Sequence, residues 1–459
     1  MKKIMIVFIS LMTMNAYALI DYKISKVHGL IKFLDLLGEN KKEYWELIPK
    51  DKEKEVGVLV NDFYKLKNRY FFSSFSLNKK NYKSGRQSIN SLILWQSMNS
   101  VDIGDFNSRV TGLLTIKNQK KLTSILVEIE PFYTKFWNEN KKHLYKFKKR
   151  TDRLIRENKK FKKSIQAIKK FYNAEWDDDL DFPVGIYLLP EGTKASGAQS
   201  FDQFEEASIV VNGDFNGRMG VIVHEMSHSF FANKDASKFQ KLENFYNEHS
   251  DPFAKHAYTY LNEGLATAIG NGYVFNLLTG KVDKSWYNNV YIEGFAREMY
   301  PLVVDYIKNG KSLNDAFYQK SISSFKKRFP DINERFESLL NKPLVSTIGR
   351  LQKEEIEPIL RDAFRTSGVN YSTPFTHPYT VEDYTDKSMP LILVVGDWSE
   401  KALTSVKKAY PSIYQDVKKI VKKDYVYFFK NNKFHLVVKY KDSKSFIRTV
   451  NKIVKQKKI

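Results

Sequence analysis

Residues 219–231 constrain the fold more than any other stretch of the chain. They read Met-Gly-Val-Ile-Val-His-Glu-Met-Ser-His-Ser-Phe-Phe and contain the pattern His-Glu-x-x-His. Residues four apart lie on one face of an α-helix, so His224 and His228 can present their imidazole nitrogens to a single metal ion. Glu225 lies beside that face and can reach a water molecule at the same ion. The stretch therefore predicts a helix that brings two metal ligands and a base together.

The alternative is two exposed histidines and a glutamate on an ordinary amphipathic helix. Val221, Ile222 and Val223 precede the motif, and Phe230 and Phe231 follow it. These apolar neighbours predict a buried helix, in which polar groups need partners. The motif therefore favours a metal site. Two histidines with an adjacent glutamate are typical of zinc, with the glutamate as general base.

The chain begins with the three parts of a secretion signal. Lys2 and Lys3 form a positive region, residues 4–12 are apolar, and Ala16-Tyr17-Ala18 supplies a small-x-small cleavage site. We expect residues 1–18 to be a signal peptide and the mature protein to be periplasmic or secreted. The alternative is an uncleaved anchor, but the apolar run is too short to cross a bilayer as a helix. No later run approaches that length, so no transmembrane segment is expected after cleavage.

Composition limits which groups can hold a metal and which partners are plausible. The chain has no cysteine, which excludes disulfides and thiolate ligands and leaves His, Asp and Glu. The formal charge is +23, and residues 141–170 carry 14 Lys/Arg against two acids. We expect this region to be a long basic amphipathic helix, or a helix pair, with one packed face and one face of solvated lysines. The alternative is that the basic face meets an anionic surface, and no specific nucleic-acid motif is present.

The hydrophobic patterning predicts an α+β fold that is mostly helical. Residues 19–175 show apolar spacings of three and four and form a helical N-terminal region. Strands are predicted at 184–189, 196–201 and 207–211, with the second at a sheet edge, and they precede the motif helix. These elements belong to a predicted catalytic domain at 176–345.

The C-terminal part is predicted to form a separate small domain. A chain of 459 residues is long enough for two or three domains. Residues 346–389 are expected to be a helix and a linker, rich in Ser, Thr, Pro and Tyr in its second half. Residues 390–459 then predict a βαββα unit with strands at 391–395, 425–429 and 434–440 and helices at 399–409 and 443–455.

A catalytic zinc site needs a third protein ligand and an open position. The longer pattern with a glycine and a third histidine on the same segment is excluded, because Phe231 and Lys234 occupy those positions. The best remaining ligand is Glu263, since a carboxylate inside the apolar run 261–266 is costly unless it is paired or bound to metal. An exposed glutamate is the alternative. Competing ligands in the polar connection before it are Asp251, His249 and His256.

With both helices in view, the chain resembles the gluzincin class of zinc metallopeptidases over roughly residues 183–300. The resemblance implies a zincin-like domain in which His224, His228 and Glu263 bind Zn²⁺ and Glu225 is the base. It also implies that a strand such as 197–201 pairs with the substrate backbone along a cleft. The chain departs from the family at Thr267, where an Asp orients the first histidine, so that support must come from elsewhere, such as Asp214 or a backbone carbonyl. The exopeptidase signature is also missing at 197–200.

The expected activity is hydrolysis of peptide bonds in a protein or peptide substrate. Zinc and one further donor would stabilise the developing oxyanion, and we expect that donor to be Tyr300. Its competitors are His256, Tyr258 and Tyr273. Two alternatives remain open: an exported binding or scaffold protein with a degenerate zincin domain, and a zinc hydrolase of cell-wall peptides.

Overall fold

The structure is a computed structural model that describes most of the chain. The described residues are 19–71, 74–76, 86–177, 180–193, 197–201, 203–340, 343–349, 351, 353–364, 370–372, 390–396, 399–419, 423–430 and 433–456. The predicted signal peptide, and the predicted linker apart from a short strand at Asn370–Ser372, lie outside them. The prediction of a mostly helical α+β fold is confirmed. Among the described helices, none combines the length and apolarity needed to cross a membrane.

The chain divides into two compact units. Unit 1 comprises Met1–Ser250 and Ala257–Ser324, and unit 2 comprises Asp251–His256 and Phe325–Ile459. Unit 1 holds the N-terminal helical region together with most of the predicted catalytic domain, and residues 251–256 and 325–345 of that domain belong to unit 2. The second boundary also falls earlier than residue 390, so unit 2 is larger than the predicted βαββα domain.

Unit 1 is built mainly from helices. They are α1 (Lys26–Gly38), α2 (Lys42–Trp45), α3 (Glu53–Leu66), α4 (Ile89–Met98), α5 (Ile103–Arg109), α6 (Ile116–Glu157), α7 (Lys159–Tyr172), α8 (Phe215–Ala232), α9 (Ala236–Asn247), α10 (Phe253–Thr267), α11 (Phe275–Thr279), α12 (Val290–Lys308) and α13 (Asp315–Arg328). The boundaries between the units fall within α10 and α13. Two π-helical segments, Lys67–Phe71 and Ala268–Val274, continue α3 and α10.

A four-stranded sheet joins the two ends of the N-terminal half. Its strands are β1 (Ile20–Lys23), β4 (Phe182–Leu189), β5 (Ala198–Ser200) and β6 (Glu205–Val210), in the order β1-β4-β6-β5. The first three in that order are parallel, and β5 is antiparallel to β6 at the edge. A short hairpin, β2 (Ser74–Ser76) and β3 (Arg86–Ser88), stands apart from it. Because β1 pairs with β4, the helical segment between them leaves this sheet at β1 and returns to it at β4.

The motif helix α8 packs against this sheet. Its N-cap is Asp214, whose carboxylate accepts hydrogen bonds from the backbone N–H groups of Asn216 and Gly217. The hydroxyls of Ser229 on α8 and Ser200 on β5 share a hydrogen bond of 2.8 Å. Most of α8 is buried, as the apolar flanks of the motif predicted. The edge strand and the motif helix are therefore held side by side.

Unit 2 contains a five-stranded sheet covered on both faces. Its strands are β7 (Leu344–Ile348), β8 (Asn370–Ser372), β9 (Leu391–Val395), β10 (Tyr425–Lys430) and β11 (Lys433–Lys439), in the order β10-β11-β9-β7-β8. Only β10 is antiparallel to its neighbour. The helices are α14 (Phe336–Leu339), α15 (Lys353–Phe364), α16 (Glu400–Ala409), α17 (Tyr414–Lys418) and α18 (Ser443–Lys455). The predicted βαββα order is confirmed, and β7 and β8 extend it.

Candidate metal centre

Two helices bring the three predicted ligands together. His224 and His228 are one turn apart on α8, and their Nε2 atoms are 3.1 Å from each other. Glu263 projects from α10, and its Oε2 lies 3.6 Å from the Nε2 atom of each histidine. The sequence separates Glu263 from the motif by a whole helix, α9, so this convergence is a product of the fold.

The spacing of these atoms fits one tetrahedral zinc ion. Zinc binds imidazole nitrogen and carboxylate oxygen at about 2.0–2.2 Å, so two ligands of a tetrahedron lie about 3.3–3.6 Å apart. The three measured separations, 3.1, 3.6 and 3.6 Å, lie close to that range. Neutral imidazoles and a carboxylate are also the ligand types of catalytic zinc sites with one open position. The donor set therefore fits zinc.

The Glu263 carboxylate has an unpaired oxygen at this point. Its side chain is 40% exposed overall, yet Oε2 itself is buried and has no hydrogen-bond partner among the described residues. The two imidazole Nε2 atoms lie 3.6 Å from this oxygen, which is longer than an ordinary hydrogen bond. Burial alone raises the pKa of Glu263, but the two histidines outweigh it and hold that pKa well below its usual range. A buried carboxylate oxygen that faces two imidazoles without a partner is what a cation would satisfy.

Two asparagines orient the imidazoles. The Nδ1 atoms of His224 and His228 lie 3.2 and 3.1 Å from Asn271 Oδ1 and Asn262 Oδ1. The Asn271 amide is fixed by a second hydrogen bond, because its Nδ2 donates to the Trp286 carbonyl at 3.0 Å. Its Oδ1 must then accept from His224 Nδ1–H, which leaves the Nε2 lone pair free for a metal.

Asp214 does not orient the His224 ring as one of the sequence-based alternatives expected. That carboxylate caps α8, and Asn271 takes the orienting role for His224. Thr267, at the position where the gluzincin pattern has Asp, is fully buried, and its hydroxyl has no hydrogen-bond partner among the described residues. The orienting group therefore comes from the π-helical segment that follows α10.

Two glycines let that π-helical segment approach α8. Glycines commonly end a helix, but here the helical path continues past Gly270 and Gly272 through Ala268–Val274 into α11. A Cβ added at Gly270 would lie 2.4 Å from the Gly220 carbonyl oxygen and 2.6 Å from the His224 backbone nitrogen. A Cβ added at Gly220 would likewise lie 2.9 Å from the Gly270 carbonyl oxygen. Backbone therefore touches backbone here, which brings Asn271 within reach of His224.

The candidate base lies beside the ligands. One Glu225 carboxylate oxygen is within 4.8 Å of the ligand atoms of both histidines. Glu263 lies 3.6 Å from both histidines on the other helix, so it is the candidate third ligand and Glu225 the candidate base. Glu205 on β6 also lies near Glu225: burial raises its pKa well above the usual range, and the Glu225 charge raises it further. Burial therefore favours the neutral form of Glu205, and Glu225 is the carboxylate next to the two histidines.

A tyrosine that the sequence reasoning missed lies at the site. The Tyr287 ring stacks on His224, with ring centroids 5.9 Å apart and planes 16° from parallel. Burial raises the Tyr287 pKa, and the charges of Glu263 and Glu225 raise it further. Its hydroxyl therefore stays protonated and can donate a hydrogen bond. With 27 tyrosines in the chain and no helix around this one, the sequence carried no signal for it.

The structure places the predicted oxyanion donors in other contacts. Tyr300 packs edge-on against Trp286, with ring centroids 5.1 Å apart, and no described contact joins it to the three ligands. Tyr258 donates to Glu243, the Tyr273 hydroxyl bonds to Ser164, and His256 bonds to Asn333. Among the described contacts, Tyr287 is the tyrosine at the ligands.

The competing ligands are also engaged elsewhere. His249 Nε2 lies 2.8 Å from Gln319 Oε1, and His256 Nε2 lies 2.7 Å from Asn333 Oδ1. Asp251 accepts from the backbone N–H of Phe253 and pairs with a lysine. Each has a partner that accounts for it, so Glu263 is the third group that meets the two histidines.

A cleft of about 920 Å³ opens beside the edge strand. Its lining includes Gly197, Ala198 and Gln199 on one side and Tyr287 on the other. The Gly197 carbonyl accepts a hydrogen bond from the Ser208 N–H, and the Phe201 N–H donates to the Phe204 carbonyl, so both groups face the β6 side. Alternation along the strand then turns the backbone groups of Ala198 and Ser200 to the open edge. Tyr287 lines the cleft and stacks on His224, which places the cleft next to the ligands.

Comparisons of the chain with protein-family models, with curated proteins and with solved structures found no match.

Proposed function

We propose that the protein is a zinc-dependent peptidase of the gluzincin type, exported as its N-terminal sequence predicts. The observation that carries the proposal is the convergence of His224, His228 and Glu263 to within 3.1–3.6 Å of one another. The motif supplies two of these groups, and the third comes from a separate helix. An ordinary amphipathic helix with two exposed histidines gives no reason for such an arrangement.

Each residue has a distinct role in the proposed reaction. His224, His228 and Glu263 hold the zinc, and Asn271 and Asn262 keep the two imidazoles in the tautomer that binds it. Zinc in such a site acidifies water and polarises a carbonyl. Glu225 accepts the proton of the attacking water on a carboxylate oxygen and then delivers it to the leaving amine. Tyr287 donates its hydroxyl hydrogen to the oxyanion that forms on the scissile carbonyl.

The cleft supports an extended peptide as the substrate. Ala198 and Ser200 turn backbone donors and acceptors to the open edge of β5, and an added peptide strand can pair with them. Such pairing reads the backbone of the substrate and not its side chains. It therefore suits a peptidase, whose scissile bond must be held in an extended conformation next to the base.

The experiment that tests the proposal is Glu225→Gln. This change keeps the size of the side chain and removes its basicity. We expect the variant to bind one zinc ion per chain, as the native protein does, and to lose peptide hydrolysis by at least about 100-fold. Glu139→Gln, at an exposed position on α6, is the matched control and should keep both properties.

Three outcomes decide between this function and its alternatives. Turnover of Glu225→Gln close to that of the native protein would remove Glu225 as the base. A native protein that binds no zinc after supply of the ion would favour the scaffold alternative. Hydrolysis of purified cell-wall peptides but not of unfolded protein would identify the second alternative.

A further inference from the structure

Five cations form a straight row on the solvent face of α6. The row, hereafter the α6 row, consists of Lys142, Lys146, Lys149, Arg153 and Arg156. Their spacings of four, three, four and three residues keep them on one face of the helix. All five are exposed. At 1.5 Å per residue the row is about 21 Å long.

The charges of the α6 row are hardly relieved by acids. Within the described residues, only Arg156 has an acidic partner, Glu157, at 3.2 Å. Like charges three or four residues apart destabilise a helix, and a solvated helix ordinarily interleaves glutamates between its lysines. The pKa of His143 in the same stretch is lowered, first by partial burial and then by Lys142 and Lys146. The free protein therefore maintains an unfavourable concentration of positive charge along this face.

A groove continues the α6 row at its C-terminal end. The groove measures about 710 Å³, and its lining includes Arg150, Arg153, Lys159 and Lys160. Glu157 is the one acidic side chain in that lining among the described residues. The Arg150 guanidinium rests on the Phe215 ring, 4.0 Å from its centroid, so it is held in place. The cations therefore form a linear track that ends in a concave site.

We propose that the α6 row and its groove bind a linear phosphate polymer through its repeated charges. A bilayer is a poorer fit, because the apolar face of this part of α6 (Leu144, Phe147 and Ile155) is buried inside the protein and cannot insert. A single-stranded nucleic acid is also a poorer fit. Tyr145 is the one exposed aromatic residue among residues 141–157, and single strands are bound on several stacking rings.

The test measures binding of linear polyphosphate of defined length to the full protein. Lys142→Gln/Lys146→Gln/Lys149→Gln removes three cations of the α6 row. Lys117→Gln/Lys120→Gln/Lys135→Gln removes three exposed lysines from another part of the same helix. We expect the first variant to bind at least about tenfold more weakly and the control to change by less than about threefold.

The salt dependence of the native protein gives a second readout that needs no variant. Five phosphate contacts predict a slope of about −3 to −4 in a plot of log affinity against log salt, and the first variant should lose about two units of it. Equal weakening in both variants would show that the row is only part of a solvated coat and would overturn the proposal. Tighter binding of anionic vesicles or of a single-stranded oligonucleotide at the row would also overturn it. Neither outcome bears on zinc or hydrolysis.

Discussion

Gly270→Ala tests whether the contact between α8 and the π-helical segment builds the metal centre. The added Cβ would lie 2.4 Å from the Gly220 carbonyl oxygen, 2.6 Å from the His224 nitrogen and 2.7 Å from the His224 Cβ. Ordinary contacts begin near 3.4 Å, so the two backbones must separate by about 1 Å. Each of these atoms belongs to backbone or to its first side-chain carbon, so no flexible side chain can yield.

The expected effect has two parts. Overpacking of this kind costs about 1–3 kcal/mol of folding free energy. The displacement also moves His224 away from Asn271, and loss of an orienting partner weakens zinc binding by about 10–100-fold. Competition with a chelator measures the zinc affinity, and thermal unfolding without zinc measures the stability.

Gly57→Ala is the matched control. Gly57 lies inside α3, and an added Cβ there meets nothing within 4 Å. Alanine is the better helix former, so this variant should be more stable by about 0.5–1 kcal/mol and should bind zinc normally. A Gly270→Ala protein with native zinc affinity and native stability would refute the proposed role of this contact.

Two further predictions concern other residues. Tyr287→Phe should keep the zinc affinity and lower kcat by roughly 100-fold or more through loss of an oxyanion donor, whereas Tyr300→Phe should change kcat little; the reverse result would restore the donor predicted from sequence. His28 is fully buried, and burial, followed by the charge of Lys32, lowers its pKa to about 3. The unfolded chain takes up this proton near pH 6.5 and the folded protein does not, so stability should fall by about 1.4 kcal/mol per pH unit as pH drops from 6.5 towards 3. Urea unfolding at several pH values should show a shallower decline for His28→Gln, and an unchanged slope would contradict this assignment.

Local patterns in the sequence predicted much of the fold. The run Leu391–Val395 is uniformly apolar, and the structure gives β9 those bounds. Its side chains alternate between the two cores of unit 2, as a strand with two buried faces requires. The cap at Asp214 follows from equally local chemistry, because a short polar side chain before a helix accepts hydrogen bonds from the first backbone N–H groups.

Long-range pairings could not be predicted in this way. The short strand β1 pairs with β4, although about 160 residues separate them. Four residues at the start of a helical region carry no periodic signal. The predicted boundary near residue 175 therefore divided the chain at a composition change, whereas the sheet unites the two sides.

The candidate site was also predictable only where a local sequence pattern marks its residues. His224, Glu225 and His228 follow from a five-residue pattern, and Glu263 follows from the cost of a carboxylate in an apolar helix. Asn271 could not be found, because the glycines at 270 and 272 on either side of it are typical of the end of a helix. The close approach at Gly270 explains those glycines, and it depends on a crossing of two segments that the sequence does not encode locally.

X-ray absorption at the zinc edge of the purified, zinc-loaded protein tests the central claim most directly. We predict one zinc ion per chain, bound by two imidazoles and by carboxylate or water oxygens at about 2.0–2.2 Å, with four ligands in total. In Glu263→Gln the two imidazoles should remain and the carboxylate contribution should be lost. A native protein that binds no zinc, or zinc whose coordination is the same with and without Glu263, would contradict the proposed centre.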